Sequence, residues 1–174
     1  MNDWLSFEQV LGYVAGAALL TGYSIKNDKR TKLVLIMSSL LFSVHFYMLG
    51  AFSGCAIMCV NAMRNACSVF WYKSKKVFLI FAFLYISSGY ITYNSSIDLL
   101  PLMSALITCI GMFLLGGIRF RAIVIIPVIM WIIHNIVVGS IGGTIQAIIL
   151  FFISLITVWR LYQDRKLEDK KNDP

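Results

Sequence analysis

The ten residues HFYMLGAFSG at 45–54 and the ten residues HNIVVGSIGG at 134–143 decide how this chain is read. Each opens on a histidine, has a glycine five positions later and another four positions after that. The chain holds two histidines, and sliding the sequence by 89 positions lays one on the other. The same shift, without a gap, sets Gly22 on Gly111, Arg30 on Arg119, Ile36 on Ile125, Gly50 on Gly139 and Gly54 on Gly143. Lys32 then meets Arg121, and Lys76 meets Arg165. The identities gather at helix ends and turns, which chance slippage of two apolar sequences does not arrange.

Outward from these stretches the sequence is mostly apolar. It is 59% hydrophobic and 13% charged, against about 25% charged in a soluble domain, so it lacks the charge to clothe a water-facing surface. The apolar residues fall into blocks at about 7–25, 31–49, 51–72, 77–93, 99–115, 120–138 and 141–162. Each is about the length that crosses roughly 30 Å of hydrocarbon as a helix. The expected fold is therefore an all-α membrane protein with seven transmembrane helices.

The net charge is +7, but it is concentrated in alternate loops and the tail. Lys26, Lys29, Arg30 and Lys32 lie between the first two blocks, Lys73, Lys75 and Lys76 between the third and fourth, and Arg119 with Arg121 opens the sixth. Arg160, Arg165, Lys166, Lys170 and Lys171 follow Trp159. The intervening segments 1–8, 50–54, 94–98 and 139–143 contain no Lys or Arg. This alternation predicts an outside N-terminus and a cytoplasmic C-terminus, with Trp71, Tyr72, Trp159 and Tyr162 in the inner interfacial belt. It reads as topology and gives no nucleic-acid surface. The opening Met1-Asn2-Asp3-Trp4 lacks a basic n-region, so the first block is expected to stay as a helix and not to be cleaved as a signal. Cys55, Cys59, Cys67 and Cys109 all sit inside apolar blocks and read as small buried hydrophobes, without metal-ligand spacing.

The repeat makes blocks one to three recur as blocks five to seven, with block four as linker. Three helices plus one restore the starting side, so the repeats are parallel and related by an axis along the membrane normal. The expected units are a first triple-helix bundle at 1–76, a linker helix at 77–94, and a second bundle with the basic tail at 95–174.

This three-plus-one-plus-three pattern resembles the SWEET sugar-efflux, PQ-loop and PnuC vitamin-transporter families, and the resemblance implies two bundles around a central translocation path. The Pro-Gln pair of PQ-loop proteins is absent where Tyr23-Ser24-Ile25 runs into the basic loop, and so is the Trp-rich signature of PnuC. The chain is also similar to the YgjV-type bacterial inner-membrane family. The carrying residues are Gly12, Gly22, Lys29-Arg30, His45-Phe46, Leu49-Gly50-Ala51, Arg64-Asn65 and Gly139-Ser140-Ile141-Gly142-Gly143. That similarity implies the bacterial inner membrane and brings no activity.

Within block three, Asn61, Arg64, Asn65 and Ser68 fall at i, i+3, i+4 and i+7, one polar stripe on a helix. All eight acids lie at ends or loops, so no carboxylate within the membrane is placed to pair with Arg64. An unpaired buried cation costs about 2.5–3.5 kcal/mol even by lenient scales, and so needs carbonyls, water or an anion. The plain alternative for the stripe is helix-to-helix hydrogen bonding around a structural arginine. The shift maps Asn61 to Leu150, Arg64 to Ile153, Asn65 to Ser154 and Ser68 to Thr157, so the second bundle offers only Gln146, Ser154 and Thr157.

If the third helices face each other across a path, as the resemblance implies, the candidate substrate-binding residues are Asn61, Arg64, Asn65, Ser68, Gln146, Ser154 and Thr157. His45 and His134, one turn before Gly50 and Gly139, are read either as pins for the tight turns or as a pH-sensing outer gate. Pro127 is expected to kink block six as a hinge, or simply to bend it. No nucleophile–base pair, carboxylate dyad, phosphate loop, haem motif or metal set is found, so neither an enzyme nor a cofactor is expected. Two readings follow. One is a facilitator of a small polar or anionic solute working by alternating access. The other is a non-transporting membrane protein that binds a partner protein or lipid. Besides the lipid bilayer neither reading requires an oligomer.

Overall fold

The computed structural model describes residues 3–24, 28–68, 70–71, 74–115, 119 and 122–172. Lys26, Tyr72, Lys73 and Arg121, which the charge pattern uses, lie outside the described residues, as do the side chains of Lys29, Arg165, Lys166, Lys170 and Lys171. Among the described residues there is no strand. Seven α-helices follow a short 3₁₀ turn at Asp3–Leu5: α1 Phe7–Ser24, α2 Asp28–Met48, α3 Phe52–Cys67, α4 Lys75–Thr92, α5 Leu99–Leu114, α6 Ile125–Val137 and α7 Ile141–Asn172.

Local chemistry sets the helix ends. α2 closes where Gly50 turns to φ +72°, with Gly50 N donating to Tyr47 O and Ala51 N to Phe46 O at 2.9 Å. α6 closes the same way at Gly139, φ +73°, where Gly139 N donates to Ile136 O and Ser140 N to Asn135 O at 2.8 Å. Both are left-handed glycine closures that pair the last carbonyls of the helix. α4 starts behind Ser74, whose hydroxyl accepts from Val77 N. A short 3₁₀ turn, Ser96–Asp98, precedes α5, and Asp98 accepts from the Asn94 and Ser95 backbone there.

Among the described residues three helical stretches are long and apolar enough to cross a membrane: Lys75–Thr92, Ser96–Leu114 and Ile141–Gln163. The apolar parts of α2 and α6, Lys32–Met48 and Ile125–Val137, are shorter. α3 also ends earlier than block three predicts, at Cys67. Its 16 residues rise about 24 Å. α7 runs the other way, ten residues past the expected end at 162; seven of those ten, Gln163, Arg165, Lys166, Leu167, Glu168, Lys170 and Lys171, are good helix formers.

α1 packs on α2 and α7, α2 on α3, α3 on α4 and α5, α4 on α5, α5 on α6, and α6 on α7. The α1–α7 approach is the tightest: a Cβ on Gly142 would lie 2.6 Å from the Gly12 carbonyl carbon and the Tyr13 nitrogen. Only a residue without a side chain fits there. One apolar core joins Ile57 and Val60 of α3, Phe81 and Tyr85 of α4, and Ala105, Cys109 and Phe113 of α5. A second gathers Ala15, Phe42, Phe46 and Ala51. Trp131 of α6 packs against both. The outer faces remain apolar, with Phe83, Tyr90 and Ile91 of α4 all more than two-thirds exposed. Large apolar side chains turned outward in this number suit a lipid-facing surface.

A candidate solute cavity with an unpaired arginine

A cavity of about 160 Å³ lies between the helices. Leu19 of α1, Ser39 and Phe42 of α2, Arg64 of α3, Thr108 of α5, Trp131 of α6 and Gln146 of α7 all reach it, whereas α4 contributes nothing to its lining. α4 instead braces the outside of α3. Its buried Tyr85 hydroxyl donates to Asn61 Oδ1 at 2.7 Å.

Arg64 is buried, in the last turn of α3. One guanidinium nitrogen, Nη2, donates to Asn65 Oδ1 at 3.3 Å. Nε and Nη1 have no partner, and together they carry three N–H donors. Asn65 Nδ2 donates in turn to Ser39 Oγ at 3.5 Å, and Ser39 Oγ to Leu35 O at 2.7 Å. The charge is therefore held by a polar link from α3 to α2 that uses only part of its hydrogen-bonding capacity. No residue lining the cavity is acidic.

Two further buried polar atoms among the lining residues lack partners. They are Ser104 Oγ on α5 and Asn135 Oδ1 on α6, in residues that both line the cavity. A buried polar atom left without a hydrogen bond costs about 1–3 kcal/mol. Unpaired donors, a hydroxyl and a carbonyl in one lining are groups that water or a polar solute could satisfy. Among the described residues no group of His, Cys, Asp and Glu could hold a metal ion.

The family of bacterial inner membrane proteins designated Imp-YgjV matches residues 6–165. The chain belongs to this family. It is also 27% identical over 161 residues to the inner membrane protein YgjV of Escherichia coli strain K12, covering 91% of this chain and 86% of that one. No solved structure matches. The chain is thus a protein of the bacterial inner membrane, in keeping with its apolar helices.

In this Imp-YgjV member the cavity collects only part of the residues that the sequence points to. Asn61, Arg64, Asn65 and Gln146 line it. Ser68 does not: it lies just past α3, its hydroxyl donates to Asn65 O at 2.8 Å, and its own carbonyl accepts from Lys32 Nζ at 2.7 Å. Ser154 and Thr157 are also outside the lining, and each hydroxyl donates back to the carbonyl four residues earlier, Leu150 O and Ile153 O.

Arg64 itself is nearer a helix end than block three implies, since α3 stops at Cys67. Pro127 lines the cavity. Helix at 122–123 is interrupted by a turn at Val124 before α6 starts at Ile125, so block six is broken one turn before Pro127, whose missing N–H leaves a carbonyl of the preceding turn unpaired. Neither histidine lines the cavity. His45 is fully buried, with Nδ1 2.6 Å from Glu8 O and Nε2 2.7 Å from Ser140 Oγ, so it ties α2 to α1 and to the start of α7. His134 is equally buried, packs edge-on to Phe46 and Trp131, and has no partner on either ring nitrogen.

Cys59 is exposed on the outer surface and Cys55 is half-buried, so only Cys109 of the four thiols is fully buried. Sequence reasoning passes over Ser104 and Asn135. Asn135 carried a signal, as a polar residue at the position 89 beyond Phe46, but Ser104 is one small residue in an apolar helix and carried none.

Proposed function

We propose that this inner membrane protein is a small facilitator or exchanger of a polar or anionic metabolite, neither an enzyme nor a cofactor carrier. In this reading two parallel three-helix repeats, 1–76 and 95–174, alternate access around the cavity, and the helix of 77–94 links them. The observation that carries it is Arg64: a buried cation with three unpaired N–H donors, in a cavity without an acid.

The packing supports the repeat. α1–α2, α2–α3 and α1–α7 contacts have counterparts, 89 residues on, in α5–α6, α6–α7 and α3–α5. Gln9 of α1 donates to Gly139 O and accepts from Ile141 N at the start of α7. Asp98, 89 positions after Gln9, accepts from Ser53 Oγ at the start of α3. The wall is lopsided, because Ile153 stands at the position equivalent to Arg64 and is exposed on the outer face. The positive loops support an outside N-terminus and a cytoplasmic tail.

The test is solute counterflow in liposomes holding the purified protein, run over a panel of polar and anionic metabolites. The reading expects flux that Arg64→Ala abolishes. A full panel without Arg64-dependent flux rejects it.

The second reading, a partner- or lipid-binding protein, draws on the Tyr85–Asn61 and Asn65–Ser39 bonds, which tie helices together whether or not a solute enters. It expects a co-purifying protein or lipid, and no water at positions 61–68.

A further inference from the structure

We infer that the cavity takes a small monocarboxylate with an apolar body, its carboxylate on Arg64 and its carbon skeleton along the wall beside it. The inference rests on the reading of this cavity as a solute site and names the solute's class.

The head group follows from charge. Arg64 is 6% exposed, and its Nε and Nη1 have no partner. Tyr85 of α4 and Cys109 of α5 stand close enough to feel the guanidinium charge, but a phenol and a buried thiol are neutral at pH 7. Asn65 supplies only an amide oxygen. No other lining residue is ionised, so the walls carry one uncompensated positive charge. A carboxylate neutralises it, and the lone pairs of its two oxygens can accept the free N–H groups. A dianion brings a second charge with no cation to meet it, which is costly in a buried site. A neutral solute leaves the guanidinium as it is.

The body follows from what lines the cavity on one side of that charge. An arginine in a helix leans toward the helix N-terminus, which in α3 is the Phe52 end. Met58 lies on that side, within two turns of Arg64. Ser39 is tied to Asn65 and marks the same level in α2, where Phe42 follows one turn toward the same end. Ala105 stands one turn from Cys109 in α5, again toward that end. Phe42, Met58 and Ala105 all line the cavity. The lining hydroxyls of Ser39 and Thr108 are spent on Leu35 O and Ser104 O, which leaves that of Ser104 as the unpartnered one. Such a wall suits hydrocarbon and not a bare inorganic anion. The volume of about 160 Å³ is close to that of the apolar cavities of about 150 Å³ that take up benzene, so the body has about six carbons.

The test is calorimetric titration of the full-length protein in lipid nanodiscs at neutral pH, with empty nanodiscs subtracted. The set is acetate, butyrate, hexanoate, benzoate, benzamide, phthalate and inorganic phosphate. Affinity is expected to rise about fourfold per methylene from acetate to butyrate, the scale of one buried CH₂. The better of hexanoate and benzoate is expected to bind about tenfold more tightly than benzamide, phthalate or phosphate, the scale of a hydrogen bond to a charged group. Arg64→Gln is expected to bring benzoate within about twofold of benzamide. Should that variant fail to fold, Ala105→Leu serves in its place: its added bulk is expected to weaken hexanoate and benzoate about tenfold and leave acetate within about twofold.

A flat series from acetate to hexanoate overturns the inference, as does benzamide, phthalate or phosphate matching the best monocarboxylate, or no binding by any member of the set. Monocarboxylate binding without flux in liposomes rejects transport and leaves this inference standing. Arg64-dependent flux of another solute, with no carboxylate binding, does the reverse.

Discussion

Arg64 sits where α3 runs out, and the unpaired carbonyls of a helix C-terminus carry about half a negative charge, worth about 0.3–2 kcal/mol to a nearby cation. Lys32 reaches the same end through the Ser68 carbonyl. This help falls short of the roughly 2.5–3.5 kcal/mol that an unpaired arginine costs inside a membrane. The site is thus held at a net cost to stability, as functional sites often are. Arg64→Leu is therefore expected to raise Tm in detergent while removing solute binding, and a lower Tm would show that the guanidinium is structural glue. Tyr85→Phe has the opposite character. It deletes a satisfied bond to Asn61 Oδ1 and should lower stability by about 1 kcal/mol in denaturant unfolding, whereas Ser104→Ala, which removes an unpartnered hydroxyl, should raise it by up to about 1–3 kcal/mol.

At the scale of elements, the turns were the most legible part of the sequence. Gly50 and Gly139 announce left-handed closures because only glycine enters that region freely, and both closures are present. Helix ends set by charged tails were less legible: α7 continues through a run that reads equally well as a solvated tail. Of the candidate site, the α3 stripe was legible because one face of a helix has a fixed period. Of the α7 residues Gln146 reaches the cavity, whereas Ser154 and Thr157 lie outside its lining and satisfy their hydroxyls on their own backbone. Ser104 and Asn135 join Arg64 in one cavity lining through packing between helices, which no local pattern encodes. The α1–α7 seam gives the test at this scale. Gly142→Ala places a methyl group against the Gly12 backbone, and is expected to destabilise by about 1–3 kcal/mol. A variant as stable as wild type would mean that the two helices do not approach as described.

For the whole molecule, the cavity lining draws on six helices and omits α4, the arrangement that two three-helix units around a path would produce. Under the topology proposed from loop charge, a reporter fused after residue 174 is expected to be active only in its cytoplasmic form, and activity of a periplasm-dependent reporter there would invert that topology. The most direct test of the central claim is whether the cavity is wet. In a background without the four native cysteines, single cysteines at 61, 65, 104 and 146 would be exposed to a small membrane-impermeant thiol reagent in sealed vesicles, with position 153 on the outer face as control. The account predicts labelling at all four cavity positions and none at 153. Four cavity cysteines as unreactive as the control would contradict it.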